Sequence, residues 1–85
     1  MKRLSDHTYQ LILTVRNHPG VLVRCAQTFG RRGHNIEALN VAEVYDTPGI
    51  SRMTITAFGQ PAVIRQIVAQ LSKLIDVIEV KESEL

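Results

Sequence analysis

The stretch Asn17-His18-Pro19-Gly20 lies where an apolar segment of strand-like composition gives way to apolar residues at helical spacing. Proline has a preset φ that suits a first helical position, so we expect a helix to begin at Pro19 or Gly20. The unpaired amides and positive dipole end of that helix attract a carboxylate or a phosphate. The simpler alternative is that Asn17 or His18 caps the helix.

The remaining elements follow from apolar periodicity and from glycine and proline signals. The predicted elements are strand one from Asp6 or His7 to Arg16, helix one from Pro19 or Gly20 to Arg32 with Gly33 as its stop, strand two from Ile36 to Tyr45, strand three from Ser51 to Gly59, helix two from Pro61 to about Lys73, and strand four from Asp76 to Lys81. We expect a loose start from Met1 to Ser5 and a frayed end from Lys81 to Leu85.

The apolar residues of each element predict a shared core. The residues expected on buried faces are Leu11, Leu13 and Val15 in strand one, Val21, Leu22, Cys25, Thr28 and Phe29 in helix one, Met53, Ile55 and Ala57 in strand three, and Ile64, Ile67, Val68, Leu71, Leu74 and Ile75 in helix two. Strand two is supported by Ile36, Leu39, Val41, Val44 and Tyr45. Cys25 is the sole cysteine, so it forms no internal disulfide, and we expect it to pack as a small hydrophobe.

The order strand, helix, strand, strand, helix, strand predicts an α+β fold of the ferredoxin-like βαββαβ type. It has a four-stranded antiparallel sheet with two helices on one face. The turn signal from Asp46 to Gly49 predicts that strands two and three form a hairpin. Unpaired edge strands favour side-by-side association of two copies, so we expect a homodimer.

Composition excludes several classes of protein. A formal net charge of +2, with Lys and Arg scattered along the chain, argues against nucleic-acid binding. The densest basic pair, Arg31-Arg32, is expected to complement the negative end of the helix dipole. The start of the sequence has no signal-peptide pattern, and no apolar run has membrane-spanning length, so we expect a cytoplasmic protein.

Four segments together resemble one known family. The segments 13–22 (LTVRNHPGVL), 29–39 (FGRRGHNIEAL), 51–55 (SRMTI) and 71–77 (LSKLIDV) resemble the amino-terminal ACT domain of the regulatory small subunit of acetolactate synthase, also called acetohydroxyacid synthase. The resemblance covers nearly the whole chain, so we expect a single ACT domain over residues 1–85. Family members commonly continue into a second, carboxy-terminal domain, whereas this sequence stops at Leu85.

The resemblance implies a non-catalytic subunit that binds the large catalytic subunit of acetolactate synthase and raises its activity. It also implies feedback inhibition by valine or a related branched-chain amino acid. Thiamine diphosphate, FAD and magnesium are expected only in the catalytic partner, and no cofactor or metal is expected on this chain. By the resemblance, the effector site uses Asn17, Gly20 and Val21 of one chain with Asn35 and Ile36 of its dimer mate.

The chemistry of these positions suits an amino acid. The backbone amides of Gly20 and Val21 can hold the ligand carboxylate. Asn17 and Asn35 can offer side-chain oxygens to the ammonium group, and Ile36 can line a pocket for a branched aliphatic side chain. By contrast, His18 and His34 are expected to be solvated loop residues.

Three other classes of protein share this order of elements. A small acyl phosphate hydrolase would cradle phosphate in the loop after strand one, and Arg16 before Asn17 fits that alternative, but Pro19 does not. An RNA-recognition module would need aromatic side chains where Met53 and Ile55 stand. A metal chaperone would need paired cysteines in the first loop, and none are there.

Overall fold

The computed structural model describes residues 6–85, and within them the elements follow the predicted order. They are β1 (His7–Arg16), α1 (Val21–Gly30), β2 (Ala38–Glu43), β3 (Ile50–Gly59), α2 (Pro61–Leu71) and β4 (Val77–Glu84). The loose start expected from Met1 to Ser5 lies outside the described residues. Within residues 6–85, neither helix combines the length and the apolar character that crossing a membrane requires.

The strands form one antiparallel sheet in the order β2-β3-β1-β4. In the centre of the sheet, Leu11 of β1 lies opposite Ile55 of β3 on one side and Glu82 of β4 on the other. Leu39 of β2 also pairs with Ile55, which confirms the predicted hairpin. The α+β, ferredoxin-like βαββαβ prediction is therefore confirmed, and β2 and β4 are the edge strands.

The core lies between the sheet and the helices. Alternate residues of β1 and β3 are buried, and Leu13 and Met53, which face each other across the two strands, are at most 1% exposed. The helices bury Val21, Cys25, Thr28 and Phe29 from α1 and Ile64, Ile67 and Leu71 from α2. Burial raises the pKa of the Cys25 thiol, as expected for a cysteine packed in a core.

The first helix is shorter than predicted at both ends. It begins at Val21, not at Pro19 or Gly20, and ends at Gly30, not at Arg32. Gly20 precedes the helix with φ of 86°, in the left-handed region that glycine adopts most readily. Pro19 and Gly20 therefore form the turn that brings the chain from the sheet into the helix.

Strand β2 is shorter and more exposed than predicted. The strand runs from Ala38 to Glu43 and not from Ile36 to Tyr45, and the Tyr45 side chain is fully exposed in the hairpin turn. All six β2 residues are exposed. Leu39 and Val41 lie on the same face as buried Ile55 and Met53, yet they are 43% and 46% exposed, so the helices do not cover this edge of the sheet.

The predictions for helix two, for Leu22 and for strand four also need correction. Helix α2 ends at Leu71, not Lys73, and Ile75 is 89% exposed because it lies in the turn after the helix. Leu22 of α1, also predicted on a buried face, is 42% exposed. The prediction of a frayed end is wrong: β4 extends to Glu84, because residues 79–84 pair with the backbone of β1 whatever the polarity of their side chains.

Candidate functional site

The loop between β1 and α1 (residues 17–20) is held by two neighbouring loops. The amide of Arg16 donates to the carbonyl oxygen of Asp76 at 2.7 Å, and the amide of Asn17 donates to that of Gly49 at 2.8 Å. The Arg16 guanidinium also donates to the Ile75 carbonyl oxygen at 2.9 Å. Backbone contacts from the β2–β3 turn and the α2–β4 loop therefore position this loop.

The first turn of α1 has no side-chain cap within the described residues. The alternative in which Asn17 or His18 caps the helix is therefore wrong. The amide of Val21 donates to the His18 carbonyl oxygen over a long 3.3 Å, and the first bond of α-helical spacing runs from Arg24 to Gly20 at 3.0 Å. The amides between these two positions are the ones that a helix start leaves free for an anion.

Asp76 anchors the side chains around this helix start. Its side chain is only 11% exposed. The Nδ1 atom of His18 lies 2.9 Å from Oδ1, and a guanidinium nitrogen of Arg24 lies 3.4 Å from Oδ2. A Cβ atom placed on Gly20 would lie 3.8 Å from Cζ of Arg24, so this guanidinium lies beside the loop. Sequence reasoning missed both Arg24 and Asp76.

His18 and His34 differ in their surroundings. The His18 side chain is 62% exposed, as expected for a loop residue. His34 is half-buried, and its Nε2 atom lies 2.9 Å from the Phe58 carbonyl oxygen, which accepts the hydrogen bond. The prediction of a solvated His34 is therefore wrong. Its ring occupies the space left by the absent side chain of Gly59, where a Cβ atom would come within 2.5 Å of the ring.

The predicted effector residues fall into two groups. Asn17 and Gly20 are exposed in the β1–α1 loop, and Val21 is buried beneath it. In the second group, Asn35 is exposed and Ile36 is half-buried against the core. The predicted residues therefore form two separate groups in one chain.

The two groups lie at opposite ends of the sheet in one chain. The first group follows Arg16, whereas the second precedes Ala38, which is paired with Thr56 and so lies level with Gln10 of β1. At about 3.3 Å per residue, the six positions from Gln10 to Arg16 span roughly 20 Å. A single chain therefore does not bring Asn17 and Asn35 together.

Comparisons with known proteins agree on one family. The family model for AHAS small subunit-like ACT domains matches residues 11–79. A probable acetolactate synthase small subunit from Methanothermobacter thermautotrophicus is 49% identical over 84 residues, which are 99% of this chain and 49% of that relative. The chain thus spans about half the length of the curated relatives it matches.

Solved structures agree with this result. The acetolactate synthase small subunit from Thermotoga maritima superposes with a TM-score of 0.79 at 39% identity, over 88% of this chain and 46% of that chain. The ACT domain of a GTP pyrophosphokinase from Chlorobium tepidum reaches a TM-score of 0.75 at 15% identity, over 94% of this chain and 89% of that domain, and supports the fold alone. This chain belongs to the family of AHAS small subunit-like ACT domains.

Proposed function

We propose that this chain is the ACT domain, spanning residues 1–85, of a regulatory and non-catalytic small subunit of acetolactate synthase. In this proposal it binds valine or a related branched-chain amino acid, and it binds and activates the catalytic subunit. The result is feedback control of valine, leucine and isoleucine biosynthesis in the cytoplasm. The observation that carries the proposal is the uncapped start of α1 in a chain of this family.

The ligand carboxylate rests against the start of α1. The amide of Gly20 and the free amides of the first turn point toward an anion at this position. The amide of Val21 contributes more weakly, because its bond to the His18 carbonyl oxygen competes with the ligand. The Arg24 guanidinium beside Gly20 adds a positive charge, which Asp76 partly neutralises.

The rest of the ligand contacts residues from both chains. The ligand ammonium accepts no hydrogen bond, so it needs oxygen atoms, which the side chains of Asn17 and Asn35 supply. Ile36 lines the pocket for the branched side chain. Asn35 and Ile36 belong to the dimer mate, because the two half-sites of one chain lie at opposite ends of its sheet.

The dimer forms through the β2 edge. This edge exposes Leu39 and Val41 on the helix side of the sheet, whereas the β4 edge carries exposed Glu79, Lys81 and Glu82, charges that discourage pairing between edge strands. Antiparallel pairing of β2 with its copy would bring residues 35–36 of the mate to the same end of the sheet as the β1–α1 loop. Two equivalent sites result.

The catalytic subunit supplies the chemistry. In this proposal thiamine diphosphate, FAD and magnesium bind to the catalytic subunit, and this chain binds neither a cofactor nor a metal. The alternative of an acyl phosphate hydrolase has less support, because the Arg16 guanidinium that it would use is hydrogen-bonded to the Ile75 carbonyl oxygen.

Thermal unfolding tests the proposal. Valine at millimolar concentration should raise the melting temperature, because a ligand that binds only the folded state stabilises it, by about 2.7 kcal/mol at a hundred times Kd. Asn17→Ala and Asn35→Ala should abolish the shift. Ser83→Ala, at an exposed position of β4 outside both the proposed site and the proposed dimer edge, is the control and should retain it.

An unchanged melting temperature would contradict the proposal. If neither valine, leucine nor isoleucine moves the melting curve of the wild-type chain, effector binding by this domain is wrong. The catalytic partner is tested separately, by capture of a large thiamine-diphosphate enzyme from the native extract and by its activity with and without this chain.

A further inference from the structure

The helical side of the molecule carries a one-sided charge. Neither α1 nor α2 contains an Asp or a Glu, but Arg24 and Arg65 lie within them. Arg31 and Arg32 directly follow α1, and Lys73 follows α2. The carboxylates of the chain lie in the strands, in the connecting loops and at the start: Asp6, Glu37, Glu43, Asp46, Asp76, Glu79, Glu82 and Glu84. The net charge of +2 is therefore unevenly distributed, and the face formed by the two helices is strongly basic.

Three of these cations line a groove between the two helices, which we call the basic groove. It has a volume of about 730 Å³ and is lined by Arg31, Arg32 and Lys73 together with Gln70, Val63 and Leu74. A second groove of about 330 Å³ adjoins it, because it shares Lys73 and Leu74. The two grooves therefore combine cationic and apolar side chains.

The cations of the basic groove have no counter-charge within residues 6–85. No ion pair joins Arg31, Arg32 or Lys73 to a carboxylate there. The Arg32 guanidinium donates to the side-chain oxygens of Gln66 and Gln70. These neutral amides orient the guanidinium across the groove and leave its charge available to a partner.

The helix dipole explains only part of this arrangement. Cations near a helix C-terminus are favourable, which accounts for a basic residue after α1 and one after α2. It does not account for the two glutamines that fix Arg32 across the groove, nor for the absence of carboxylates along both helices.

We propose that the basic groove docks an acidic segment of a partner protein, which under the proposed function, on which this inference rests, belongs to the catalytic subunit. An extended segment can pair with the projecting cations while its apolar residues contact Val63 and Leu74. A small phosphate fits less well, because the two helices run antiparallel and place the cations toward opposite ends of the groove, with Arg31 and Arg32 after the end of α1 and Lys73 after the end of α2. Among residues 6–85, no aromatic side chain lines the groove, so this part of the chain offers no platform there for nucleic-acid bases.

The proposed dimer leaves this surface free. Pairing through β2 joins the two sheets edge to edge, so the helices of both copies lie on the same side of the continuous sheet. The dimer then presents two basic grooves to its partner. Two linked contacts of this kind would bind more tightly than either one alone.

The test compares two charge reversals that change the net charge equally. Arg31→Glu with Lys73→Glu alters the basic groove, whereas Arg52→Glu with Lys81→Glu alters exposed residues of β3 and β4. The dissociation constant of each variant for the catalytic subunit of the same organism is measured by sedimentation at about 50 and about 300 mM NaCl. Circular dichroism checks that both variants are folded.

The groove pair should raise the dissociation constant at least about tenfold at low salt and weaken its salt dependence, since it removes the charges that the partner contacts. The control pair should change it less than about threefold, because charges outside an interface act only at long range.

Equal weakening by both pairs, or no effect of the groove pair, overturns the basic groove as the docking surface while the proposed function stands. If the wild-type chain does not bind the catalytic subunit, both proposals fail. Binding of a polynucleotide that the groove pair abolishes would assign the groove to nucleic acid instead.

Discussion

Asp76 joins the loop after β1 to the first turn of α1. One carboxylate oxygen faces His18 at 2.9 Å and the other faces Arg24 at 3.4 Å. The backbone of the same residue accepts a hydrogen bond from the amide of Arg16. Through these contacts a buried residue just before β4 fixes the position of the proposed carboxylate site.

Replacing Asp76 with alanine should destabilise the fold and weaken valine binding. The change leaves the partners of a largely buried carboxylate unpaired, which typically costs about 1–3 kcal/mol. The lower half of that range is expected, because His18 and Arg24 are themselves more than half exposed. Urea unfolding measures the loss of stability. Asp46→Ala, in the exposed hairpin turn, should leave the midpoint almost unchanged, and equal losses in the two variants would contradict the anchoring role.

The buried Cys25 thiol should make the free energy of unfolding depend on pH in the alkaline range. Burial raises the pKa of its thiol in the folded state, so the thiol favours folding below the unfolded-state pKa of about 8.5. This contribution decreases as the pH rises through that value, because the unfolded thiol ionises first. The free energy of unfolding should therefore fall more between about pH 7.5 and 9.5 in the wild type than in Cys25→Ala. Parallel decreases in urea-unfolding experiments would contradict the burial of an un-ionised thiol.

At the scale of elements, His34 attaches the segment before β2 to the end of β3. Its Nε2 atom bonds to the Phe58 carbonyl oxygen, and the amide of Glu37 donates to the Thr56 carbonyl oxygen at 2.8 Å. Asn35 and Ile36 lie between these two contacts. The second half of the proposed effector site is therefore held by the edge of the sheet.

Gly59→Ala should displace this segment. The new Cβ atom would lie 2.5 Å from the His34 ring, so the ring has to move, and overpacking of this kind costs typically about 1–3 kcal/mol. The melting temperature and the affinity for valine should both fall. Gly30→Ala is the control: it meets nothing within 4 Å, and alanine in a helix is more stable than glycine by up to about 1 kcal/mol. An unchanged affinity in Gly59→Ala would separate this segment from the site.

The elements show which features a single sequence can predict. The alternation of apolar residues located β1 and β3 within one residue, because both strands lie against the core on one face. It failed for the ends of β2 and for the end of β4, where pairing with a neighbouring backbone decides the structure. The β1–α1 loop was located correctly, but Asp76 was missed because it lies 58 residues beyond His18 in the sequence.

At the scale of the whole molecule, the proposed dimer depends on the β2 edge. Val41→Lys would place a charge among the apolar side chains of this edge, and lysine is a residue that natural edge strands use to prevent pairing. The variant should sediment as a monomer at micromolar concentration and lose the valine-induced thermal shift. Ile78→Lys changes a similarly exposed apolar residue of the β4 edge and should remain a dimer. A monomeric Ile78→Lys with a dimeric Val41→Lys would assign the interface to β4.

The charge distribution of the molecule could not be predicted from its net charge. Basic residues appear scattered along the sequence, and only the packing of α1 beside α2 gathers Arg31, Arg32 and Lys73 around one groove. Local periodicity likewise gives no information about the proposed site shared between two chains. That site depends on the strand order, which separates Asn17 from Asn35 within each chain.

Nuclear magnetic resonance of the ¹⁵N-labelled chain during titration with L-valine shows whether the ligand carboxylate binds at the start of α1. We expect saturable shifts of the backbone amides at the start of α1, from Gly20 to Val23, together with shifts of the side-chain amides of Asn17 and Asn35. Both groups should titrate with one dissociation constant, because one ligand contacts both chains. Shifts confined to other regions, or shifts of only one group, would contradict a carboxylate site at the helix start completed by the dimer mate.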